Sequence, residues 1–141
     1  MKEHEKICRF ELGACLMDKS TACNVRGVRT STGYLVVMKD VFKPIKFPVI
    51  EPKSFDIFQD TDNISASDLS HMFSLSWMDA YRAIRDNLFG MNYYVLANLD
   101  EEYMSLYVTE RFVDKEKASA LADVRSMCSL FDLSQSRFII P

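Results

Sequence analysis

Long apolar runs are missing from this chain of 141 residues, since no stretch of about 18 consecutive apolar residues occurs. The first ten residues, MKEHEKICRF, mix charged and apolar groups and lack the continuous apolar segment of a secretory signal peptide. We therefore predict no membrane span and a cytoplasmic location. Hydrophobic residues still make up 48% of the chain, which is enough to build the core of one compact unit.

Metal-binding residues are also scarce. The chain has two histidines and four cysteines, and the cysteines (Cys8, Cys15, Cys23 and Cys128) include no C-x-x-C pair. Zinc sites usually show paired ligands at such close spacing. We therefore expect reduced thiols, some of them buried, and neither a metal nor another cofactor.

Catalytic motifs are absent as well: G-x-S-x-G, a phosphate-binding loop, G-x-G-x-x-G and H-E-x-x-H do not occur in the sequence. Asp68 and His71 are spaced one helical turn apart and could form a base with its orienting group, but no nucleophile lies near them in the sequence. We predict a protein that is not an enzyme and has no catalytic residue. A small enzyme on a ferredoxin-like sheet is a second alternative.

The net charge of −3 conceals an uneven distribution. Residues 1–63 carry ten Lys and Arg against nine Asp and Glu, whereas residues 64–141 carry seven against eleven. Within the first part, residues 24–53 hold six cations against Asp40 and Glu51. This segment is the one basic field that could attract nucleic acid.

The first part of the chain is expected to be rich in β-structure. Partial alternation of apolar and polar residues predicts a strand over residues 7–18, and β-branched residues predict a central strand over residues 34–42. Residues 19–24 read as a polar connector between them. The polar run QDTDN, residues 59–63, marks the best boundary between this part, 1–63, and the remainder.

The second part, residues 64–141, is expected to hold two helices, a hairpin, a third helix and a last strand. The first two helices start near Ser65 and Ser76, and the third runs from Asp114 to about Phe131. This order fits either a ferredoxin-like split β-α-β sheet or a winged helix. The prediction common to both is an α+β fold with a β-rich N-terminal half.

Residues 66–85, ASDLSHMFSLSWMDAYRAIR, resemble the helix-turn-helix superfamily. Phe73 to Leu75 stand where that family places its turn, although Ser74 replaces the usual glycine. The resemblance covers about a seventh of the chain. The same stretch is also faintly similar to the winged-helix end of bacterial DNA translocases. It implies a second helix whose outward positions include Trp77, Tyr81 and Arg82.

A mixture of aromatic, methionine and arginine side chains is typical of protein interfaces. The leading hypothesis is therefore a regulatory protein that docks on a partner protein, for example as a small inhibitor or adaptor. An acidic turn after the second helix would discourage phosphate on the same side. The predicted partner-binding residues are Trp77, Met78, Tyr81, Arg82, Arg85, Asp100, Glu101 and Glu102.

Nucleic acid is the alternative partner, because the same helix could read DNA as a winged helix-turn-helix regulator. The basic segment would then have to fold onto the face that carries Arg82 and Arg85, since phosphate neutralisation supplies much of the affinity for DNA. The residues predicted for this alternative are Arg26, Arg29, Lys43, Lys46, Arg82 and Arg85.

Overall fold

A computed structural model describes residues 3–48, 66–87, 92–100, 103–124 and 129–139. Helices and strands alternate irregularly along the chain. The elements are α1 (Glu3–Asp18), β1 (Ser20–Cys23), β2 (Arg29–Thr30), β3 (Tyr34–Val37), β4 (Ile45–Pro48), α2 (Ala66–Asn87), β5 (Tyr93–Leu99), β6 (Tyr103–Phe112), α3 (Lys115–Val124), β7 (Leu130–Asp132) and β8 (Arg137–Ile139). The mixed α and β composition confirms the predicted class.

The eight strands of the described residues join one antiparallel sheet, in which seven follow the order β2-β1-β5-β6-β3-β7-β8 and β4 pairs separately with β6. β6 is the longest of the described strands and pairs with three others, β3, β4 and β5. β5 pairs along one of its edges, while β3 and β4 follow each other along the other edge, against residues 109–112 and 103–106. Strands from residues 1–48 therefore pair directly with strands from residues 92–139.

The sheet curls, so that its two ends approach each other. The Ser20 hydroxyl on β1 lies 2.7 Å from the Ser136 hydroxyl in the turn between β7 and β8. The inner face of the curl is filled by apolar side chains, among them Leu35, Leu96 and Phe131, all fully buried. This inner face is thus a packed core that needs no helix to cover it.

The outer face of the sheet is covered by helices. α1 and α2 pack on β5 and β6 through a cluster that includes Phe73, Trp77, Val95 and Leu106. α3 packs at the far end, where Ala118 contacts the cluster around Val36 and Leu130. Val36 pairs with Glu110 and so lies on the same face as Leu106 and Val108, because side chains alternate along β6.

Two local predictions for the N-terminal part are corrected, and a third concerns residues that the structure does not describe. Residues 7–18 form α1 rather than a strand, because Cys8, Glu11 and Cys15 are buried at intervals of three and four residues, which is helical spacing. The expected connector over residues 19–24 contains β1, whose residues are all buried. The boundary expected at residues 59–63 lies outside the described residues.

Two predictions for the C-terminal part are corrected, and two are confirmed. α3 ends at Val124 as described, and Phe131 belongs to β7 instead of the third helix. The hairpin over residues 92–112 and the last strand are present as β5, β6 and β8. The strands β7-β3-β6-β5 are consecutive antiparallel neighbours, and α2 and α3 lie in the connections from β3 to β5 and from β6 to β7. This is the order of a ferredoxin-like split β-α-β sheet, extended by β1, β2, β4 and β8, and not that of a winged helix.

The expected turn between two helices is also wrong. α2 runs without interruption from Ala66 to Asn87, straight through Phe73 to Leu75. The physical reason is one continuous apolar stripe, since Leu69, Phe73, Trp77, Ala80 and Ile84 are buried at spacings of three and four residues. A break at Ser74 would turn half of this stripe away from the sheet. No helix in the described ranges is both long and apolar enough to cross a membrane.

Candidate functional site

Trp77, the centre of the predicted docking surface, does not lie on the surface. Its side chain is only 1% exposed and stacks on Tyr81 with 5.3 Å between the ring centroids. Met78 and Tyr81 are half-buried and pack against the same core cluster. The expectation that these three side chains point outward is therefore wrong for Trp77 and holds only in part for the other two.

Four side chains lie in a row along one side of α2, the exposed Leu75, Arg82 and Arg85 and the half-buried Met78, and we call them the α2 row. Leu75 is 57% exposed, a large fraction for leucine. Arg82 and Arg85 are exposed as predicted, but each has an acidic neighbour: Arg82 lies 3.9 Å from Asp79 and Arg85 lies 3.0 Å from Asp86. The two cations are thus partly neutralised within their own helix.

Asp100, the one residue of the acidic turn that the structure describes, holds the turn together through hydrogen bonds. The Asp100 carboxylate accepts a hydrogen bond from the Tyr103 N–H at 2.8 Å, and the Asp100 N–H donates to the Tyr103 carbonyl at 3.0 Å. These two bonds close the hairpin between β5 and β6. Glu101 and Glu102 lie outside the described residues.

Among the described cations of the basic segment, Lys46 lies on a sheet face that α2 does not cover. Arg26 and Lys43 are exposed, whereas Lys46 lies over the Tyr103 ring with its Nζ 4.3 Å from the ring centroid. Lys46 is next to Phe47 on β4, and the Phe47 side chain packs in the cluster beneath α1 and α2. Because side chains alternate along a strand, Lys46 points away from the sheet face that α2 covers. Lys46 therefore does not share a face with Arg82 and Arg85.

Arg29 is held by a buried carboxylate. The Arg29 Nε lies 2.9 Å from Glu11 Oε1, in an ionic contact without good hydrogen-bond alignment, and Glu11 is only 2% exposed. The Thr21 hydroxyl donates to the other Glu11 oxygen at 2.8 Å. Burial raises the pKa of Glu11, while the contacts with Thr21 and Arg29 oppose that rise. This cluster fastens α1 to β1 and β2.

A groove of about 480 Å³ lies between α1 and α2. It exists because small serines stand on α2 where the two helices face each other, and they leave space that larger apolar side chains would fill. The groove is open to solvent, because four of its lining residues are exposed: Glu5, Arg9, Ser70 and His71. The lining residues are Glu5, Cys8, Arg9, Leu12, Ser70, His71 and Ser74.

The thiol at the bottom of this groove is not an activated nucleophile. Cys8 is 4% exposed, and burial raises the pKa of its thiol to about 11. A hydrogen bond with Ser74 opposes this rise without cancelling it. At neutral pH the thiolate fraction is therefore very small. The carboxyl of Asp68, the expected neighbour of His71, lies outside the described side chains.

The described cysteines, Cys8, Cys15 and Cys23, are all buried free thiols, as predicted. Burial raises the pKa of both Cys15 and Cys23 to about 12. Across the described part of the chain, no group of three or more His, Cys, Asp or Glu side chains is arranged to hold a metal ion.

The sequence missed the groove because the groove depends on α1, which was expected to be a strand. The only local signal was the pair Ser70 and Ser74, two small residues one helical turn apart. Leu75 could not be recognised as exposed, because it was assigned to the turn of a helix-turn-helix.

Comparison with known proteins adds no family to these observations. No family model matches the chain, and no curated protein and no solved structure matches it significantly.

Proposed function

We propose that this is a non-enzymatic regulatory protein that docks on a partner protein through the groove between α1 and α2 and the adjoining α2 row. The observation that carries the proposal is the open groove beside Leu75, whose apolar side chain is 57% exposed. An exposed leucine at the rim of a polar cleft combines an apolar contact with groups that give orientation. An inhibitor or adaptor would use such a surface.

The lining of the groove defines the chemistry of the partner segment. Glu5 supplies a carboxylate, Arg9 a guanidinium, His71 an imidazole, and Ser70 and Ser74 supply hydroxyls. Such groups suit a polar side chain that enters between the two helices and exchanges hydrogen bonds with both. The apolar neighbours of that side chain would then cover Leu75 and Met78.

Arg82 and Arg85 belong to the rim of this surface. Exposed ion pairs contribute little to affinity, and both arginines already have an acidic neighbour on α2. Their expected role is to guide the approach of the partner, an effect that depends on ionic strength. Trp77 supports the surface from below, because it anchors α2 to the sheet.

The properties of Cys8 favour binding over chemistry in the groove, because a buried thiol with a raised pKa is a poor nucleophile. The charges also favour a protein over nucleic acid as the partner. Arg29 is occupied by Glu11 and Lys46 points away from α2, so neither adds positive potential beside Arg82.

A photo-crosslinking experiment tests the proposal. A benzophenone group replaces the Leu75 side chain, and the matched control carries it in place of Val113, which is also apolar and is 78% exposed. In the native cell we expect one discrete adduct from position 75 that nuclease does not remove and that position 113 does not form.

A second variant connects the adduct to the groove. Ser70→Leu should fill the groove and abolish the adduct, whereas Ser31→Leu, at an exposed serine before β3, should leave it unchanged. Failure to form any adduct at position 75, or an adduct that persists when the groove is filled, would contradict the proposal. Loss of the adduct on nuclease treatment would instead support nucleic acid as the partner.

A further inference from the structure

The guanidinium of Arg9 lines the groove and has no ion-pair partner among the described residues. By contrast, Arg29, Arg82 and Arg85 each lie at 3.9 Å or less from a carboxylate oxygen. Glu5 stands one helical turn before Arg9, but the two side chains form no ion pair in the described structure, and an exposed pair of this kind would contribute little. The charge of Arg9 is therefore available to a ligand in the groove.

The α2 wall of the groove adds hydrogen-bond donors to this cation. Ser70 and Ser74 carry hydroxyls and His71 carries an imidazole, and each of these groups can donate a hydrogen bond. Among the described lining residues, Glu5 alone accepts hydrogen bonds without donating any. Donors therefore outnumber dedicated acceptors, and a ligand group that only accepts hydrogen bonds suits the groove best.

From this arrangement we infer that the groove holds the carboxylate of an aspartate or glutamate side chain of the partner protein, with Arg9 as its counter-ion. The inference rests on the proposed function, since it names the group of the partner that enters the groove. A guanidinium can bind a carboxylate through two parallel N–H donors, which fixes the orientation of the acid as well as its charge. The hydroxyls and the imidazole on α2 supply further donors from the opposite wall.

The number of cations in the groove selects a carboxylate over a phosphate. A phosphate ester carries a charge of about −1.5 to −2 at neutral pH, and proteins typically recognise it with a cluster of arginines. The groove is lined by one described arginine, and Glu5 places a negative charge one turn away from it. A group with a single negative charge meets less repulsion from Glu5 than a group with two.

The position of Leu75 adds an apolar requirement to the partner segment. Leu75 directly follows Ser74, which lines the groove, and its side chain is 57% exposed. A segment whose acidic side chain enters the groove beside Ser74 therefore passes close to Leu75. We expect a recognition segment in which an aspartate or glutamate has an apolar residue within a few positions.

Substitution of Arg9 in the protein that carries the benzophenone group at position 75 tests the inference. Arg9→Met keeps most of the side-chain length and removes the charge, so it should lower the yield of the adduct by about tenfold or more. Arg9→Lys keeps the charge but loses the paired donors, and it should retain part of the yield. The matched control Arg26→Met removes an exposed arginine from the turn after β1, outside the groove lining, and should leave the yield unchanged. Because Arg9 and Arg26 are exposed, all three variants should keep the urea midpoint of the parent protein.

A peptide experiment then identifies the group that Arg9 binds. Mass spectrometry of the adduct defines the partner segment beside position 75, and a synthetic peptide of that segment is titrated into the full chain in a calorimeter. Replacement of the acidic residue of the peptide by the corresponding amide should weaken binding to the parent protein by about tenfold or more. The same replacement should have little effect on binding to Arg9→Met, because the two changes remove one shared interaction.

Two sets of results separate this inference from the proposed function. An adduct whose yield is unchanged in Arg9→Met, or a crosslinked segment without aspartate or glutamate, overturns the inference and leaves the proposed function standing. Loss of the adduct on phosphatase treatment, or binding that requires the C-terminal carboxylate of the partner, overturns it as well, because either result places a different anion in the groove. The absence of any adduct at position 75 contradicts the proposed function and this inference with it.

Discussion

Replacement of Arg29 by methionine leaves the buried Glu11 carboxylate without its cation. Removal of one partner from a fully buried ion pair typically costs about 3–5 kcal/mol. Arg29 is 36% exposed, and Glu11 keeps its hydrogen bond from Thr21, so the expected loss is smaller, roughly 2–3 kcal/mol of unfolding free energy near neutral pH. Methionine keeps most of the length of the side chain, so that loss of charge dominates the effect.

The loss should depend on pH in a defined direction. Burial already raises the pKa of Glu11, and removal of Arg29 should raise it further. A carboxyl whose folded pKa is raised stabilises the fold when it is protonated, and that stability is lost as the pH rises from the unfolded pKa through the folded pKa. The penalty of Arg29→Met should therefore be small at acidic pH and should reach a plateau at alkaline pH.

Urea denaturation of the variant and the parent protein at about pH 5 and about pH 8 measures this difference. Glu11→Gln provides the control, because the double variant Glu11→Gln/Arg29→Met has no buried charge to neutralise. It should be more stable at about pH 8 than Arg29→Met alone. An equal penalty at both pH values, or no rescue by Glu11→Gln, would refute the assignment of Arg29 as the partner of a buried charge.

Three further predictions follow from the core, a helix start and the groove. Trp77→Ala should lower the unfolding free energy by about 3–5 kcal/mol, because it leaves a cavity in the core. Trp77→Phe should cost clearly less, because phenylalanine fills part of the space and removes a buried indole N–H that has no hydrogen-bond partner among the described residues. Equal urea midpoints for the two variants would contradict the buried position of Trp77. Asp114→Ala should lower the unfolding free energy by about 1 kcal/mol in the same assay. The reason is that the Asp114 carboxylate accepts a hydrogen bond from the Glu116 N–H at 2.9 Å and so caps the start of α3. An unchanged urea midpoint would rule out this helix cap. Cys8 should react with a thiol reagent far more slowly in the folded protein than in urea. The reason is that its thiol is buried and burial raises its pKa to about 11. A fast reaction without denaturant would contradict the burial of this thiol.

Much of the C-terminal half was predictable, because its signals are local. The strands β5 and β6 are rich in aromatic and β-branched residues on either side of an acidic turn, and this pattern is sufficient to predict a hairpin. The start of α3 is also defined locally, because the Asp114 carboxylate accepts a hydrogen bond from the N–H of Glu116, two residues later. In both cases the interacting groups are close neighbours along the chain.

The sequence pattern of α1 does not identify it as a helix. Its apolar residues fit partial alternation as well as helical spacing, and the buried Glu11 looks like a solvent-facing residue in the sequence. Only the contact with Arg29 and Thr21, ten or more residues away, explains why a carboxylate occupies an inward position. The groove was missed for the same reason, because it exists only where α1 and α2 come together.

The sequence by itself determined that the chain mixes helices and strands, that a helix contains Trp77 and Tyr81, and that its cysteines form no paired metal motif. The tertiary structure alone decided which side of that helix faces the sheet. An amphipathic pattern defines the spacing of a stripe, but burial also requires a surface for the stripe to pack against. The sheet supplied by β5 and β6 buried Trp77 and left Leu75 exposed, so the candidate docking surface depends on contacts between residues that are distant in the chain.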